Sequence, residues 1–541
     1  MYSINRYLRL KEKIKEIRKI ALTGIAEAGS GHPGASFSAA EIMGSLYFQI
    51  MNIDLKNYSL ANRDYFINSK AHSAPGYYAT LALSGSFPKD EIKTLRKLHS
   101  RLQGHPVRYS EHQKNHSVPG IEYSGGSEGI GLSVSIGISL ANRLDGYDNM
   151  VYCLLGDGET NEGQVWEASM AASKFRLNNL IAILDRNKIQ QDGFTEDIMP
   201  IDPVKEKWSS FNWDVVEVDG HRIEQLITEL LRKPKDKPKI IIANTVKGNG
   251  IKHMANNPQW HGKAPSKKHM PILLEELEGE YMISPSIIAG PTGIDEKSLI
   301  EKIETAEKYR SEMIHLDVMD GIFVPNTTFS HETIKNIRSV TNVPFDTHLM
   351  IQSPADELDD FIDAGCDIIT IHSEVCKSEK DFETMNTKLI SNGVSPGLAI
   401  NPNTEFPQWA IPFLDQLDVI IIMSVNPGFA GQKFIPEVSS KMTKLIPLLR
   451  KSGFTGYFEA DGGIDLSTIL NAYNAGCRIF VMGNAIFGSD DIQSRLKETR
   501  LKIDTNLEQQ LLQKSQSLDI KDDWVKGRKT VLERFQLGVL P

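Results

Sequence analysis

The second half of the chain repeats one unit eight times: a short apolar run, then a helical pattern. The runs occupy 283–288, 313–319, 345–350, 368–374, 395–402, 418–425, 456–463 and 478–483. Even spacing of this kind predicts a closed parallel barrel of eight β/α units. A weak internal echo supports repetition. FIDAGCDIITIH (361–372) and AYNAGCRIFVMG (472–483) share a helix end, an Ala-Gly-Cys turn and a buried strand. The first half also alternates strands with helices, and its clearest runs are 151–157, 179–187, 213–220 and 239–246. That pattern predicts a parallel sheet with helices packed on it. The 541 residues therefore divide into an α/β domain (1–265), a polar linker (266–280), a (β/α)8 barrel (281–495) and a charged helical tail (496–541) that holds Trp524.

Composition narrows the function. A net charge of -9 argues against a broad nucleic-acid or anionic-membrane surface. No apolar run is long enough to span a bilayer. The N-terminal stretch MYSINRYLRLKEKIKEIRKI reads as a charged amphipathic helix rather than a signal peptide. Cys153, Cys366, Cys376 and Cys477 are scattered, with neither zinc-like spacing nor a disulfide framework. These features predict a reduced, cytoplasmic protein, with Cys366 and Cys477 in helix–strand packing.

The barrel carries the more explicit chemistry. His315 and Asp317 stand two apart on one strand, so period-two geometry points both to one face. His348 and Asp461 end two further strands. All four belong to the C-terminal ends of their strands, where such barrels place catalysis. Two imidazoles and two carboxylates can hold a divalent cation and still leave a carboxylate on each side of a substrate carbon. Asp317 and Asp461 then suit the two-acid inversion of a carbon beside a carbonyl, one removing a proton and the other returning it to the opposite face. A cation between them would stabilise ene-diolate charge as a Lewis acid. Gly462, Gly463, Gly483 and Asn484 follow the last two strands, where backbone N–H groups can meet a phosphate. Gly428, Phe429, Ala430 and Gly431 add a donor-rich loop after strand six.

Residues 281–490 closely resemble ribulose-phosphate 3-epimerase. The motifs are PSI (285–287), HLDVMDG with FVPN, HLM, MSVNPGF with GQKFIPEV, DGGI and the closing AIFG. The resemblance implies a TIM barrel with a metal (Zn2+, Fe2+ or Mn2+) on His315, Asp317, His348 and Asp461. It implies proton exchange at carbon 3 of D-ribulose 5-phosphate by Asp317 and Asp461, with D-xylulose 5-phosphate as product. It places Ser286 and His348 near the substrate, and Met319, Met350 and Met423 in a soft apolar patch. The chain departs from that pattern at Ala430 (a glycine in the family), Asn484 (a serine), Ile322 (a histidine) and the segment AGPTGI after strand one.

In the first half, GDGETNEG (156–163) lies between an apolar strand and a helix, and a second strand ends in Asp185-Arg186-Asn187-Lys188-Ile189. This β–α–β unit brings Asp157 and Asn187 to adjacent strand ends. Carboxylate, amide and carbonyl oxygens are hard ligands suited to Mg2+ or Ca2+ carrying a diphosphate. SGHPG, SKAHSAPGYY, LQGHP and QWHGKAP each set a histidine in a Gly/Pro-rich turn. Residues 8–265 resemble the thiamine-diphosphate-binding domain of transketolase, especially its split-subunit form, through these segments with NKIQQDG and VKGNGIKHMANNPQWHGKAP. The resemblance implies an N-terminal parallel-sheet thiamine diphosphate-binding fold. It implies the metal on Asp157, Asn187 and the Ile189 carbonyl, His72 and His261 on the diphosphate, and His32 and His105 facing the sugar. The cofactor would also meet His105, Gly126, Glu128 and Gly158. Glu162 and Glu167 match glutamates at a subunit interface. The family's Gly-x-Leu-Gly-Gln-Gly is here GSEGIG, with Glu128 at the leucine that packs on the cofactor ring. Of the other histidines, His99, His112, His116, His253 and His331 read as surface or loop residues, and His221 and His372 as locally hydrogen-bonded.

Thiamine catalysis needs a carboxylate on the aminopyrimidine. In transketolases that glutamate, with an arginine-rich phosphate clamp, comes from a pyrimidine-binding domain, and the barrel begins where that domain would start. The expectation is a bifunctional, homo-oligomeric pentose-phosphate enzyme acting on phosphorylated ketoses and needing a separate C-terminal transketolase subunit. An alternative is an epimerase, possibly on another ketose phosphate, whose first half is a non-catalytic scaffold.

Overall fold

Five parallel strands form the backbone of the first half. In a computed structural model of the chain, every residue is described except 1–3, 56–60, 111, 113–115, 192, 519 and 521–541. The strands are β1 (Tyr65–Asn68), β2 (Val151–Gly156), β3 (Leu180–Arg186), the short antiparallel ribbon β4 (Ile189–Gln190) with β5 (Gly193–Phe194), β6 (Asp214–Asp219) and β7 (Lys239–Asn244). The main sheet runs β1-β2-β3-β7-β6, and every pair in it is parallel. β2 and β3 are buried along their whole length. Hence they read as continuous apolar runs rather than alternating ones. Trp166, Trp208 and Trp213 pack beside this sheet in tilted and edge-to-face contacts, at centroid spacings of 5.1 and 5.0 Å.

The second half closes into a cylinder of β8 (Met282–Pro285), β9 (Ile314–Met319), β10 (Phe345–Met350), β11 (Ile368–His372), β12 (Ser395–Ile400), β13 (Val419–Met423), β14 (Tyr457–Asp461) and β15 (Ile479–Met482). From β9 onward each strand pairs in parallel with the next in sequence, and β15 pairs with β8. Between β8 and β9 the seam is a single parallel bridge, Ser286 to His315, with Ile287 N–H donating to the His315 carbonyl at 3.3 Å. Asp295, Ser330 and Ser378 cap three of the outer helices by accepting from backbone N–H groups three residues on. All eight barrel strands expected from the sequence are present.

The chain separates into two compact units, one of residues 13–278 with the segment from 511, the other of 1–12 with 279–510. Residues 4–12 thus group with the barrel, where the Arg6 guanidinium holds Asp418 at 2.6 Å. The stretch read as a linker contains a helix, Met270–Glu278, that buries Ile272, Leu273 and Leu277. Its polar composition hides one apolar helical stripe. The helix assigned to the tail starts earlier, at Ile492, and runs to Ser517; Trp524 lies outside the described residues. Among the described residues no helix is long and apolar enough to cross a membrane.

Candidate functional site

The barrel brings together the four side chains singled out in the sequence. One ligand atom from each of His315, Asp317, His348 and Asp461 lies within 4.8 Å of the others, and all four residues are buried. His315 Nε2 stands 3.4 Å from Asp317 Oδ1 and 3.8 Å from Asp461 Oδ2. His348 Nδ1 stands 3.2 Å from Asp461 Oδ2 and 3.7 Å from Asp317 Oδ1. Neither of these two ring nitrogens has a hydrogen-bond partner. Two orphaned imidazole nitrogens and two carboxylates around one gap are what a cation of mixed N/O preference requires. His315 is the second residue of β9, deeper than the strand end expected.

The electrostatics follow from the same crowding. Burial alone would lower His315, but the charges of Asp346 and Asp317 outweigh it and raise it well above the usual imidazole range. His348 is raised for the same reason by Asp317 and Asp461. Burial would raise Asp317, but the charges of His315 and His348 outweigh it and hold it far below the usual carboxylate range. Ser286 Oγ also donates to Asp317 Oδ2 at 2.6 Å. A bound cation would take the place of the protons these imidazoles attract.

Behind the four lie residues the sequence reading missed. Asp346 Oδ2 accepts from His315 Nδ1 at 2.8 Å and from Ser284 Oγ at 2.9 Å. That fixes His315 with Nε2 bare toward the gap. Glu459 is fully buried beside Asp346; burial and then the Asp346 charge hold it well above the usual carboxylate range. The signal was available: Asp346-Thr-His348 and Glu459-Ala-Asp461 repeat the two-residue spacing of His315-Leu-Asp317. His372 is locally bonded, as expected, with Nδ1 3.1 Å from Glu374 Oε2, and its Nε2 also lies 2.8 Å from His348 Nε2.

Above the cluster is a cavity of about 590 Å3. Ser286, Asp317 and Asp461 form part of its wall, with Met319, Met350 and Met423 as the apolar side. Gly428, Phe429, Ala430, Gly431, Gly462, Gly463, Gly483 and Asn484 line it too. Asn484 Oδ1 accepts from Gly290 N–H at 3.1 Å. Gly463 adopts φ +63, and a Cβ there would meet the Phe434 backbone nitrogen at 2.3 Å, so the loops touch only because it is glycine. His348 lies below the cavity, its ring between the carboxylates and His372. Ile322 is 74% exposed and also off the wall.

In the first half, Asp157 follows β2 and Asn187 follows β3. Asp157 accepts from the N–H groups of Gly158 (2.8 Å) and Lys188 (2.5 Å). A Cβ at Gly158 would run into Gln190 at 2.6 Å, so the turn requires glycine. Asn187 Oδ1 accepts from Ile189 N–H at 3.2 Å. The Ile189 carbonyl accepts from the Lys247 ammonium at 3.0 Å, a cation already seated where a metal ligand was expected. Burial, then Asp185, push Asp157 up to about 6. Arg186 Nη1 lies 3.5 Å from Asp157 Oδ2, and the buried carboxylate beside amide and carbonyl oxygens fits a hard divalent cation.

His32, His72 and His261 converge, with ring centroids 5.2 to 5.4 Å apart. Pro75 lies in the first turn of the helix Ala74–Leu83 just after His72 and so sets where that ring emerges. Burial, then Lys247, bring His261 down to about 2; burial, then His72, bring His32 down to about 3. Glu128 pairs with His72 Nδ1 at 2.8 Å. His105 is exposed, near Gly126. Glu162 and Glu167 are exposed as well. His221 is hydrogen-bonded, accepting from Val246 N–H at 2.8 Å, and His253, expected as a surface or loop residue, lies in a turn but is buried against Trp260. Two further groups went unnoticed. Lys247 bridges the Ile189 carbonyl and His261 Nδ1 (2.7 Å). Glu159 accepts from Gly156 and Gly129 N–H groups at 2.8 and 2.7 Å, fastening the GSEGIG loop to the end of β2.

These two halves define an enzyme fusion, an isomerase-type barrel joined to a transferase-type α/β domain. Residues 282–487 match the ribulose-phosphate 3 epimerase family, and residues 10–277 match the transketolase, thiamine diphosphate binding domain. Among similar proteins is an apulose-4-phosphate transketolase subunit of Actinobacillus succinogenes, 41% identical over 276 residues, which are 51% of this chain and 98% of that protein. The 6-deoxy-6-sulfo-D-fructose transketolase subunit SqwG of Clostridium sp. is 37% identical over 274 residues, 50% of this chain and 97% of that one. Homo sapiens transketolase is 35% identical over 291 residues, 54% of this chain but only 45% of its own length. The chain belongs to the transketolase family through its N-terminal domain, which is fused to a C-terminal ribulose-phosphate 3-epimerase family domain.

Proposed function

We propose that the barrel is a metal-dependent epimerase acting at carbon 3 of D-ribulose 5-phosphate, giving D-xylulose 5-phosphate. The observation that carries this reading is the convergence of two buried carboxylates and two bare imidazole nitrogens on one gap under the cavity. Asp317, oriented by Ser286, takes the proton from one face. Asp461 approaches from β14 and returns a proton to the other face. His315, His348, Asp317 and Asp461 would hold the cation, which supplies Lewis-acid stabilisation of the oxygen that gains charge. Met319, Met350 and Met423 exclude water from the reacting carbon, and the loops at Gly428–Gly431, Gly462–Gly463 and Gly483–Asn484 receive the phosphate. The test is direct: folded chain loaded with Zn2+, Fe2+ or Mn2+ is given ribulose 5-phosphate. Failure to form xylulose 5-phosphate with any of them sinks the reading.

The first half, in the same reading, binds thiamine diphosphate through Mg2+ or Ca2+ at Asp157, Asn187 and Ile189, with His72 and His261 on the diphosphate. It turns over only with a separate subunit that brings a pyrimidine-binding domain. Support comes from relatives whose names make them subunits of transketolases and which match over nearly their full length. The epimerase product would be the ketol donor for that half, and the working site would be the cytoplasm. A second reading, a non-catalytic scaffold or binding module, is favoured by Glu128, which places a carboxylate on His72 inside the anion pocket. Calorimetric titration with thiamine diphosphate and Mg2+, with the partner present, separates the two; no binding favours the scaffold.

A further inference from the structure

We propose that Glu374, acting through His372, fixes the tautomer in which His348 offers a bare nitrogen to the cation site of the barrel. The two metal-facing histidines are oriented differently. His315 turns Nε2 to the gap and anchors Nδ1 directly on the Asp346 carboxylate. His348 turns Nδ1 to the gap, and its Nε2 meets no carboxylate but the Nε2 of His372 at 2.8 Å. Between two imidazole nitrogens one must carry the hydrogen and the other accept it. His372 Nδ1 in turn lies 3.1 Å from Glu374 Oε2.

The order of protons follows from these contacts. An ionised carboxylate only accepts, so His372 Nδ1 carries its hydrogen toward Glu374 and Nε2 of the neutral ring is bare. His348 Nε2–H then donates to it, and His348 Nδ1 is free for a cation. The reverse order would put a hydrogen on His348 Nδ1 and block ligation. Glu374 is itself held from the other side: its Oε1 accepts from Asn401 N–H at 2.9 Å and from Thr404 Oγ1 at 2.5 Å. Lys441 Nζ fixes that loop through the carbonyls of Asn401 (2.6 Å) and Thr404 (2.6 Å). Glu374 is therefore a positioning residue, two imidazoles removed from the reacting atoms.

This geometry makes an unusual demand on substitutions. In Glu374→Gln the Asn401 N–H can only donate, so the amide oxygen must turn toward it. The new NH2 then faces His372 Nδ1, which must accept, and the whole relay reverses. Glu374→Ala removes the carboxylate but imposes no donor, so His372 keeps the choice of tautomer. The inference rests on the barrel holding a divalent cation. Mn2+ and Zn2+ binding to the full chain, measured by calorimetry with metal-free protein, tests both levels. Loss of a group behind a ligand typically weakens metal binding about 10–100-fold, and that loss is expected for Glu374→Gln, with a smaller one for Glu374→Ala. A merely structural role predicts the opposite order, since glutamine is the closer shape, and Glu374→Gln binding as well as or better than Glu374→Ala overturns the proposal. Wild-type chain that binds neither ion fails the cation reading instead, before any variant is compared. Should Glu374→Gln not fold, His372→Phe takes its place: it removes the acceptor for His348 Nε2–H, and undiminished metal binding overturns the relay.

Discussion

Both halves of the chain gather histidines, but in opposite electrical settings. In the barrel, His315 and His348 sit among Asp317, Asp346 and Asp461, and their affinity for protons is raised. In the thiamine-binding half, burial and the Lys247 ammonium drive His261 down, while burial and neighbouring His72 drive His32 down. The first set is arranged to receive a cation, the second to receive an anion. Residue type alone does not say which; the charges behind each ring do.

The sharpest way to break this contrast is to remove one barrel carboxylate. Asp317→Asn or Asp461→Asn should lower kcat for epimerisation by roughly 10²–10⁴-fold, the usual weight of a general acid or base. Thiamine diphosphate affinity of the same variants should not move. Retention of most of the activity ends the two-carboxylate account. Chelation comes next: exhaustive treatment with a strong chelator should abolish epimerisation, and readdition of Mn2+ or Zn2+ should restore it. On the other side, His261→Ala should weaken thiamine diphosphate binding by roughly 1.5–3 kcal/mol, the worth of a hydrogen bond to a charged group. Its epimerase rate should equal wild type, and a parallel loss there would mean a general folding defect.

Two smaller effects sharpen the comparison. Glu128→Leu takes a negative charge out of the anion pocket and should tighten diphosphate binding by roughly 1 kcal/mol or less, the scale of a partly exposed ion pair. Weaker binding would show that the carboxylate orients His72 productively. The last effect is one of pH. His261 and His32 titrate near 2 and 3 in the folded chain against about 6.5 when unfolded. The unfolded chain therefore takes up protons first as pH falls. The stability these rings contribute is complete above pH 6.5 and declines below it toward their folded values. Urea midpoints between pH 7 and 5 for this half should fall with acid, and a flat profile would falsify the assignment of both rings as buried and neutral.

Much of this was legible in the residues themselves. Barrel strands announce themselves because both faces are buried, so VIIIM and IITIH are apolar without alternation. His315 and Asp317 follow from parity along one strand. β1 escaped notice because it is only four residues, YFIN, running into polar Ser69 and Lys70. The His348–His372 contact needs a fact no single strand carries, the register of β10 on β11, which sets His348 beside Thr370 and so near the inward residue two further on. Lys247 on the Ile189 carbonyl joins residues 58 positions apart through a turn, and no local pattern marks it.

The backbone seam between β8 and β9 is one bridge, and it runs to His315, whose carbonyl takes the Ile287 N–H while its ring faces the cation gap. One residue thus serves both the backbone seam and the cation gap, and hydrogen exchange of the Ile287 amide, compared with and without added Mn2+ or Zn2+, should report whether the ion is bound.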